Sequence, residues 1–600
     1  MLLTMNGLEV TETDANDARR ALDDEIAVHE RAIRTLKSRR NTLAPIAQLP
    51  PEVLCNVFIF ISRQGQTDYN NGMSLDWTKV SHVCRYWREC ALDCPRLWSA
   101  PSFQPSQKWG LEMLQRSKMA PLSIRTDTSY MTPKAVDAVH TALQQIHRIS
   151  ELHITAVPST LQRLCAPLNR AAPLLESLLI HANPRSSYYV TDEGFPLADD
   201  FLAGETPRLR RLELIRTRIN WKSGILCDLT SLKIIKIPHA NRPTITQMLD
   251  ILAKMPNLRM LWLEDFLHNV DLDPDSSFFN SSESQADTAR PGAIALPKLR
   301  ALHLHASTLQ CAAFLSALKM PISVAFDLVV RGGTKTGPDF SPIFPLFKRL
   351  GADSKRTIRS LIVERCSVHS IMLRAHQNAS NTAAHPLFKL ELSWQQFTPS
   401  TGAIVMHDVL RALPLRDLRS VQVRRVELVD TDRWVGALSN SPKLRSIKVV
   451  GDNHSTRELI TALGQVRQSE PRKVWIPSLR SLSIEEFSFR GDCDIIDEEY
   501  HEPEDEDAML EQLLDCLMWR QECRAPVTEL RLQECRYIDD DAIARLEEVV
   551  VEVDWDGLVQ GYSDDEDEDE GYSDYEYGYF GYPGDSDYED DLYAGYLPPY

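Results

Sequence analysis

The chain has 600 residues, and what it lacks narrows it early. None of its twelve cysteines forms a C-x-x-C pair, and no Cys/His set has zinc-finger spacing. Cys90 and Cys94 lie four apart, a spacing that would put them on one face of a helix. They read as small buried apolar groups of a reducing compartment, not as metal ligands. No stretch approaches the ~18 consecutive apolar residues of a membrane span. Met1 to Val10 lack the basic flank and apolar run of a signal peptide. The expectation is a cytoplasmic and/or nuclear protein with no membrane partner. A basic patch is also missing, so no nucleic-acid partner is expected. Gly332-Gly333-Thr334-Lys335-Thr336-Gly337 fails the phosphate-loop spacing and reads as a turn. There is no G-x-S-x-G elbow and no H-E-x-x-H helix. The sequence therefore nominates no catalytic residue, metal or cofactor, and the expectation is a protein that is not an enzyme.

What is present is an ordinary apolar content, 43%, enough for a sizeable core. The net charge of -19 is concentrated. Residues 561–600 hold fourteen Asp/Glu and no Lys/Arg, which leaves -5 for the other 560. Ten of the seventeen tyrosines also lie there, among Asp, Glu and Gly. Residues 553–600 are expected to form a disordered acidic tail. Ser563, Ser573 and Ser586 precede acidic residues and are candidate phosphorylation sites.

At the other end, residues 1–20 are polar and expected to be disordered. Residues 21–44 form an amphipathic helix by spacing. Leu22, Ile26, His29, Ile33, Leu36, Arg40 and Leu43 alternate steps of four and three, as heptad a/d positions do. Two polar residues in three heptads favour a helix packed on the rest of the chain. A two-stranded coiled coil is the alternative.

Residues 45–100 carry the most specific pattern. Pro51 suits a first helical turn, and Glu52 sits at the positive end of the helix dipole. Val53, Leu54, Val57, Phe58 and Ile61 then fall on one helical face. A second helix is expected to align Val80, Val83, Cys84, Trp87 and Ala91, closed by Pro95. Arg63 to Asp76 reads as a polar loop between them. About fifty residues cannot bury so many large apolar groups alone, so part of this surface is expected to meet a partner or the rest of the chain.

The run Leu49-Pro50-Pro51-Glu52-Val53-Leu54 with Val57-Phe58, then Val83-Cys84-Arg85 with Trp87-Arg88, then Pro95, Leu97 and Trp98, resembles an F-box of the type common in fungal proteins. The loop Arg63 to Asp76 departs from that family's pattern. The resemblance implies docking on the Skp-type adaptor of an SCF-type cullin–RING ubiquitin ligase, and through it on a cullin. The residues it nominates for adaptor binding are Leu49, Pro50, Pro51, Val53, Leu54, Val57, Phe58, Val80, Val83, Cys84 and Trp87.

From Ile149 onward a pattern L-x-x-L-x-L recurs. Its first anchors are Ile149, Leu175, Leu209, Leu232, Leu258, Leu299, Ile358, Leu387, Leu418, Leu444, Leu479 and Val527. A proline often precedes the anchor, as at Pro173, Pro207, Pro256, Pro297, Pro442, Pro477 and Pro526, and is expected to end a helix. The L-x-L pair turns both side chains to one face of a strand. The pattern is similar to a leucine-rich repeat, whose units stack because none can bury its apolar face alone. The Asn/Cys position that follows the strand in that family is met at Asn183, Cys366 and Cys535. The gap between Leu299 and Ile358 is read as hiding a unit near Ile322 to Phe326. Asp271 to Arg290 and Asp492 to Asp507 read as exposed inserts.

The expected fold class is thus α/β: an N-terminal helical F-box, an irregular leucine-rich-repeat solenoid over 101–552, and the acidic tail. The expected function is substrate recognition for an SCF-type ligase, with an unknown client protein on the repeats. A scaffold or interaction protein outside ubiquitination is the alternative.

Overall fold

The computed structural model describes residues 12–64, 75–104, 106–129, 131–183, 194–268, 293–333, 338–350, 357–378, 386–395, 401–426, 431–451, 453–464, 474–490 and 508–558. Residues 1–11, most of the Arg63–Asp76 loop, both expected inserts, Gly337 with its three predecessors, and the acidic tail with Ser563, Ser573 and Ser586 lie outside the described residues.

A 31-residue helix, α1, spans Glu12–Thr42. It is longer than the 21–44 expected, because the helical residues Glu12 to Arg20 extend the pattern upstream. It does not pack on the rest of the chain as expected: Leu22, Ile26, Val28, Ile33 and Leu36 are each at least half exposed. Three further helices come next, α2 (Pro51–Gln64), α3 (Arg85–Leu92) and α4 (Gln107–Arg116). Within α4, a Cβ on Gly110 would come 2.4 Å from the Phe103 ring, so only glycine lets that buried ring lie against the helix.

The remainder is one sixteen-stranded sheet with helices, running from Leu122–Asp127 to Glu552–Trp555. Thirteen of its fifteen neighbouring pairs are parallel. The L-x-L residues form its core. In Arg211–Ile215, for example, Leu212 and Leu214 are fully buried, while Glu213 between them is half-buried on the other face. Helices such as Ile245–Ala253 and Asn453–Gly464 add their apolar sides to the same core, which is continuous from Phe103 to Val550. The strand Ala325–Gly332 fills the long gap between Leu299 and Ile358. In the Leu232 unit the chain enters the core one step earlier than expected: Leu229, Leu232 and Ile234 are all fully buried.

The prolines act differently from expectation. The anchor N–H bonds the carbonyl three residues back at Leu175→Ala172, Leu209→Thr206, Leu258→Met255, Leu299→Leu296, Leu444→Ser441 and Leu479→Ile476. Each of these six prolines is therefore the second residue of a β-turn that leads into a strand, where its fixed φ is already correct. After the strands, Arg216, Lys236, Asp265, Arg425, Glu486 and Glu534 adopt left-handed backbone with φ near +50°. Most of their N–H groups bond the last carbonyl of the next strand, as in Lys236→Glu264 at 2.9 Å. The sheet's hydrogen bonding offsets the strain of that conformation.

One region breaks the sequential order. Ser360–Ser367 and Ser370–His376 form an antiparallel hairpin, and Phe388–Trp394 pairs back onto it before rejoining the parallel sheet beside Ala325–Gly332. Two connecting residues can join only antiparallel strands. For that reason Cys366 lies within the hairpin and is exposed, not at the expected buried position after a strand. Cys535 does occupy such a position, 1% exposed, with its thiol 3.6 Å from the Ile484 carbonyl.

Candidate functional site

The segment from Leu49 to Trp98 has its own core. Leu54 and Phe58 from α2, Trp77 and Val80 from the 3-10 turn Asp76–His82, Cys90 and Ala91 from α3, and Leu97 and Trp98 are all buried together. Phe58 packs on Trp87 with ring centroids 5.2 Å apart. The Tyr86 hydroxyl donates to the Leu49 carbonyl at 2.8 Å, which ties the Leu-Pro-Pro entry to α3. Cys55 donates to the Cys90 carbonyl at 3.5 Å. Burial, with Cys94 and Cys90 close by, pushes its thiol up to about 12, so Cys55 is protonated and inert.

Val80 to Ala91 is not one helix. Cys84 has extended backbone (φ -156°, ψ 172°), and its sulfur caps α3 by accepting from the Trp87 N–H. The break rotates Val80 inward and leaves Val83 outward.

The eleven nominated residues consequently divide. Leu54, Phe58 and Val80 are buried and hold the segment together, so they are not a face for a partner. Leu49, Cys84 and Trp87 are half-buried, and Pro50 and Pro51 are exposed. Val53 (42%), Val57 (40%) and Val83 (59%) face outward. Phe60 and Ile61 on α2, outside the nominated set, join them, as does Ile46 just upstream. One periodic stripe was expected on α2. The helix is apolar on two sides, because residues 54 and 58 point about 100° away from 53 and 57. The signal was present in the unbroken run Val57-Phe58-Ile59-Phe60-Ile61, which no one-sided helix needs.

Trp98 joins this segment to α4 and the start of the sheet. It is 1% exposed, meets Trp77 and Trp109 edge-on at 5.3 and 5.9 Å, and carries the Arg116 guanidinium 4.5 Å over its ring. Its indole N–H donates to the Ala91 carbonyl at 2.8 Å.

The sheet's other face is open and polar. Across adjoining strands it runs Glu213, Lys233, Trp262, His303, Asp327 and Lys389 in register. Trp262 stacks on His303 at 3.8 Å, with the Lys233 ammonium 5.0 Å over the indole and Asp327 3.0 Å from the imidazole. Glu264, Asp265 and His305 bring three donor atoms together, but Lys236 and Arg331 already pair with the two carboxylates. Spacing along the chain shows no charge stripe between the anchors. The register supplies one: Arg359, Arg419, Arg445 and Arg480, each directly after an anchor, immediately precede four strands that are neighbours in the sheet. Strand spacing places them ~4.8 Å apart, a row suited to carboxylates.

His153 and His181 on the open face are held below the usual imidazole value by burial. The unfolded chain thus takes up protons near pH 6.5 that the fold refuses. Their contribution to stability is complete above that pH and is lost as pH falls through the folded values. The urea midpoint is expected to drop between pH 7.5 and 5.5, and less so in a His153→Gln, His181→Gln chain. An equal drop in both proteins would show that these imidazoles are not the cause.

Among the described residues no helix is long and apolar enough to cross a membrane. No curated protein matches the chain. Among solved structures, a chain of the crystal structure of the Rad7 and Elc1 complex in yeast is similar over 75% of this chain and 94% of its own length. Its identity is 13% and its TM-score 0.27, too low to equate the two architectures. Residues 46–104 match the F-box-like family, so the helical segment built on Leu54, Phe58 and Trp98 is an F-box-like domain.

Proposed function

We propose that the chain is the substrate-recognition subunit of an SCF-type cullin–RING ubiquitin ligase. The F-box-like match at residues 46–104 carries the reading. Support comes from the outward Val53, Val57, Phe60 and Ile61 of α2 and from the exposed Val83, apolar surface on a segment whose core is already complete. That face docks on a Skp-type adaptor, and the adaptor links the chain to a cullin. Residues 101–552 act as a leucine-rich-repeat solenoid whose open face holds a client protein. The parallel sheet, the turn that recurs before many of its strands and the buried L-x-L pairs support this assignment. The chain's chemistry is proximity, with the catalytic cysteine carried elsewhere in the ligase. The alternative reading, an F-box scaffold that binds the adaptor without a cullin, is favoured by no observation over the first.

The test replaces Val53 and Val57 with Asp, leaving Leu54 and Phe58 intact. Two lost apolar contacts and two desolvated carboxylates are worth roughly 3 kcal/mol or more, so adaptor affinity is expected to fall at least ~100-fold. Calorimetric titration of purified adaptor measures it, and far-UV circular dichroism checks the fold. A folded double variant that binds the adaptor unchanged would sink the proposed face. Recovery of adaptor without cullin from cell extract would favour the scaffold.

A further inference from the structure

Helix α1 presents an apolar seam that none of the described residues covers. Leu22, Ile26, Ile33 and Leu36 lie on it at 50–63% exposure, followed by Leu43 at 81%. In heptad terms Ile26 and Ile33 take a positions and Leu22, Leu36 and Leu43 take d, with His29 and Arg40 between them.

The charges on the same helix are segregated. From Glu12 to Glu30 there are seven acidic and two basic residues; from Arg31 to Thr42 there are five basic and none acidic. The halves thus carry -5 and +5. Segregation of this sign also suits the helix dipole, and Arg34–Glu30 and Arg20–Asp17 pair within the helix. Neither effect calls for an exposed row of Ile and Leu.

We propose that α1 is the dimerisation element of this protein, pairing with α1 of a second copy in antiparallel orientation. With the two-fold axis near Arg31, Ile33 meets His29 of the second copy, Ile26 meets Leu36, and Leu22 meets the stem of Arg40. On the flanks Asp23 faces Lys37 and Glu25 faces Arg39, each twice; the one like-charge contact is Glu30 with its own copy on the axis. A parallel pair would set -5 against -5 and +5 against +5, and would stack His29 on His29 and Arg40 on Arg40. Charge complementarity therefore selects both the partner, a second copy, and its direction. At 1.5 Å per residue the two Thr42 ends lie roughly 33 Å apart along the axis. The two F-box-like domains then leave from opposite ends, with the outward faces of both α2 helices uncovered.

Sedimentation equilibrium of the full-length protein is expected to give twice the chain mass at micromolar concentration. Ile26→Glu with Ile33→Glu should yield a monomer whose F-box and sheet melt unchanged. Charge reversal reads the direction. A protein with Asp23→Lys and Glu25→Lys, and one with Lys37→Glu and Arg39→Glu, should each self-associate at least tenfold more weakly than the native chain. Mixed together they should form a heterodimer, because all four flanking pairs return. A native chain that stays monomeric to about 50 µM overturns the proposal, as does a dimer indifferent to Glu at positions 26 and 33. Stronger self-association of the Asp23→Lys, Glu25→Lys protein would overturn the antiparallel direction, since a parallel pair sets the lysine introduced at position 25 against Glu30.

Discussion

A Trp98→Ala chain is expected to lose the fold of residues 46–104 while the sheet still melts at its native temperature. Removing a buried tryptophan costs about 3–5 kcal/mol, part transfer and part cavity. Here the loss is at the upper end, for two reasons. Trp98 fills the space between Trp77 and Trp109, so the cavity cannot collapse from one side only. Its removal also takes from the Arg116 guanidinium the nearer of its two rings and from the Ala91 carbonyl its indole donor. The F-box-like core is small, and a few kcal/mol is a large share of the ~5–15 kcal/mol that holds a domain. Hydrogen exchange by mass spectrometry measures the effect directly. Peptides from α2 and α3 should lose protection at least a hundredfold, and adaptor binding should go with them. Native protection in α2 would show that this segment does not depend on its junction. Trp109→Ala, at a partly buried ring, should do less.

The second large effect is expected at Arg520. It lies on the helix Ala508–Glu522, is fully buried, and donates to the carbonyls of Trp475 and Ile476 at 3.0 and 2.9 Å. Burial lowers its pKa, yet a guanidinium stays charged in proteins. Those carbonyls open the turn that leads through Pro477 to the anchor Leu479. Arg520→Ala leaves a cavity and takes a buried donor from each carbonyl, although Ile476 keeps the Leu479 N–H at 3.2 Å, and is expected to cost about 3–5 kcal/mol. Arg520→Met fills the space and should cost less, which separates volume from hydrogen bonding. Denaturant melts of the three proteins decide it. If the alanine variant matched the native protein, the helix would not be clamping that turn.

Both residues bear on what was readable beforehand. The strands were legible because L-x-L spacing has period two and each pair must bury one face: Leu212 with Leu214 and Leu482 with Ile484 sit where that spacing put them. The F-box-like segment was legible from its ordered sub-motifs, and its cysteines from their apolar setting. The hairpin Ser360–His376 was not, because its second strand, with Ile371, Leu373 and Ala375 buried, carries no anchor of the repeating kind. Arg520 was invisible for a related reason: a charged residue on a helix is usually solvated, and only the nearby carbonyls make its burial tolerable.

The sequence by itself determined where the L-x-L strands form and which segment is F-box-like, since these rest on local spacing. The tertiary structure decided which side of each element is used. Leu54 and Val53 are neighbours of the same chemical kind. One is core and the other is surface only because α3 and the Trp77 turn close over a single face of α2. Likewise the arginines after four anchors become a row only when parallel pairing sets residues from separate repeats side by side. And α1, read as packed on its own chain, has its seam in the open, because amphipathic spacing requires a covering but does not say what supplies it.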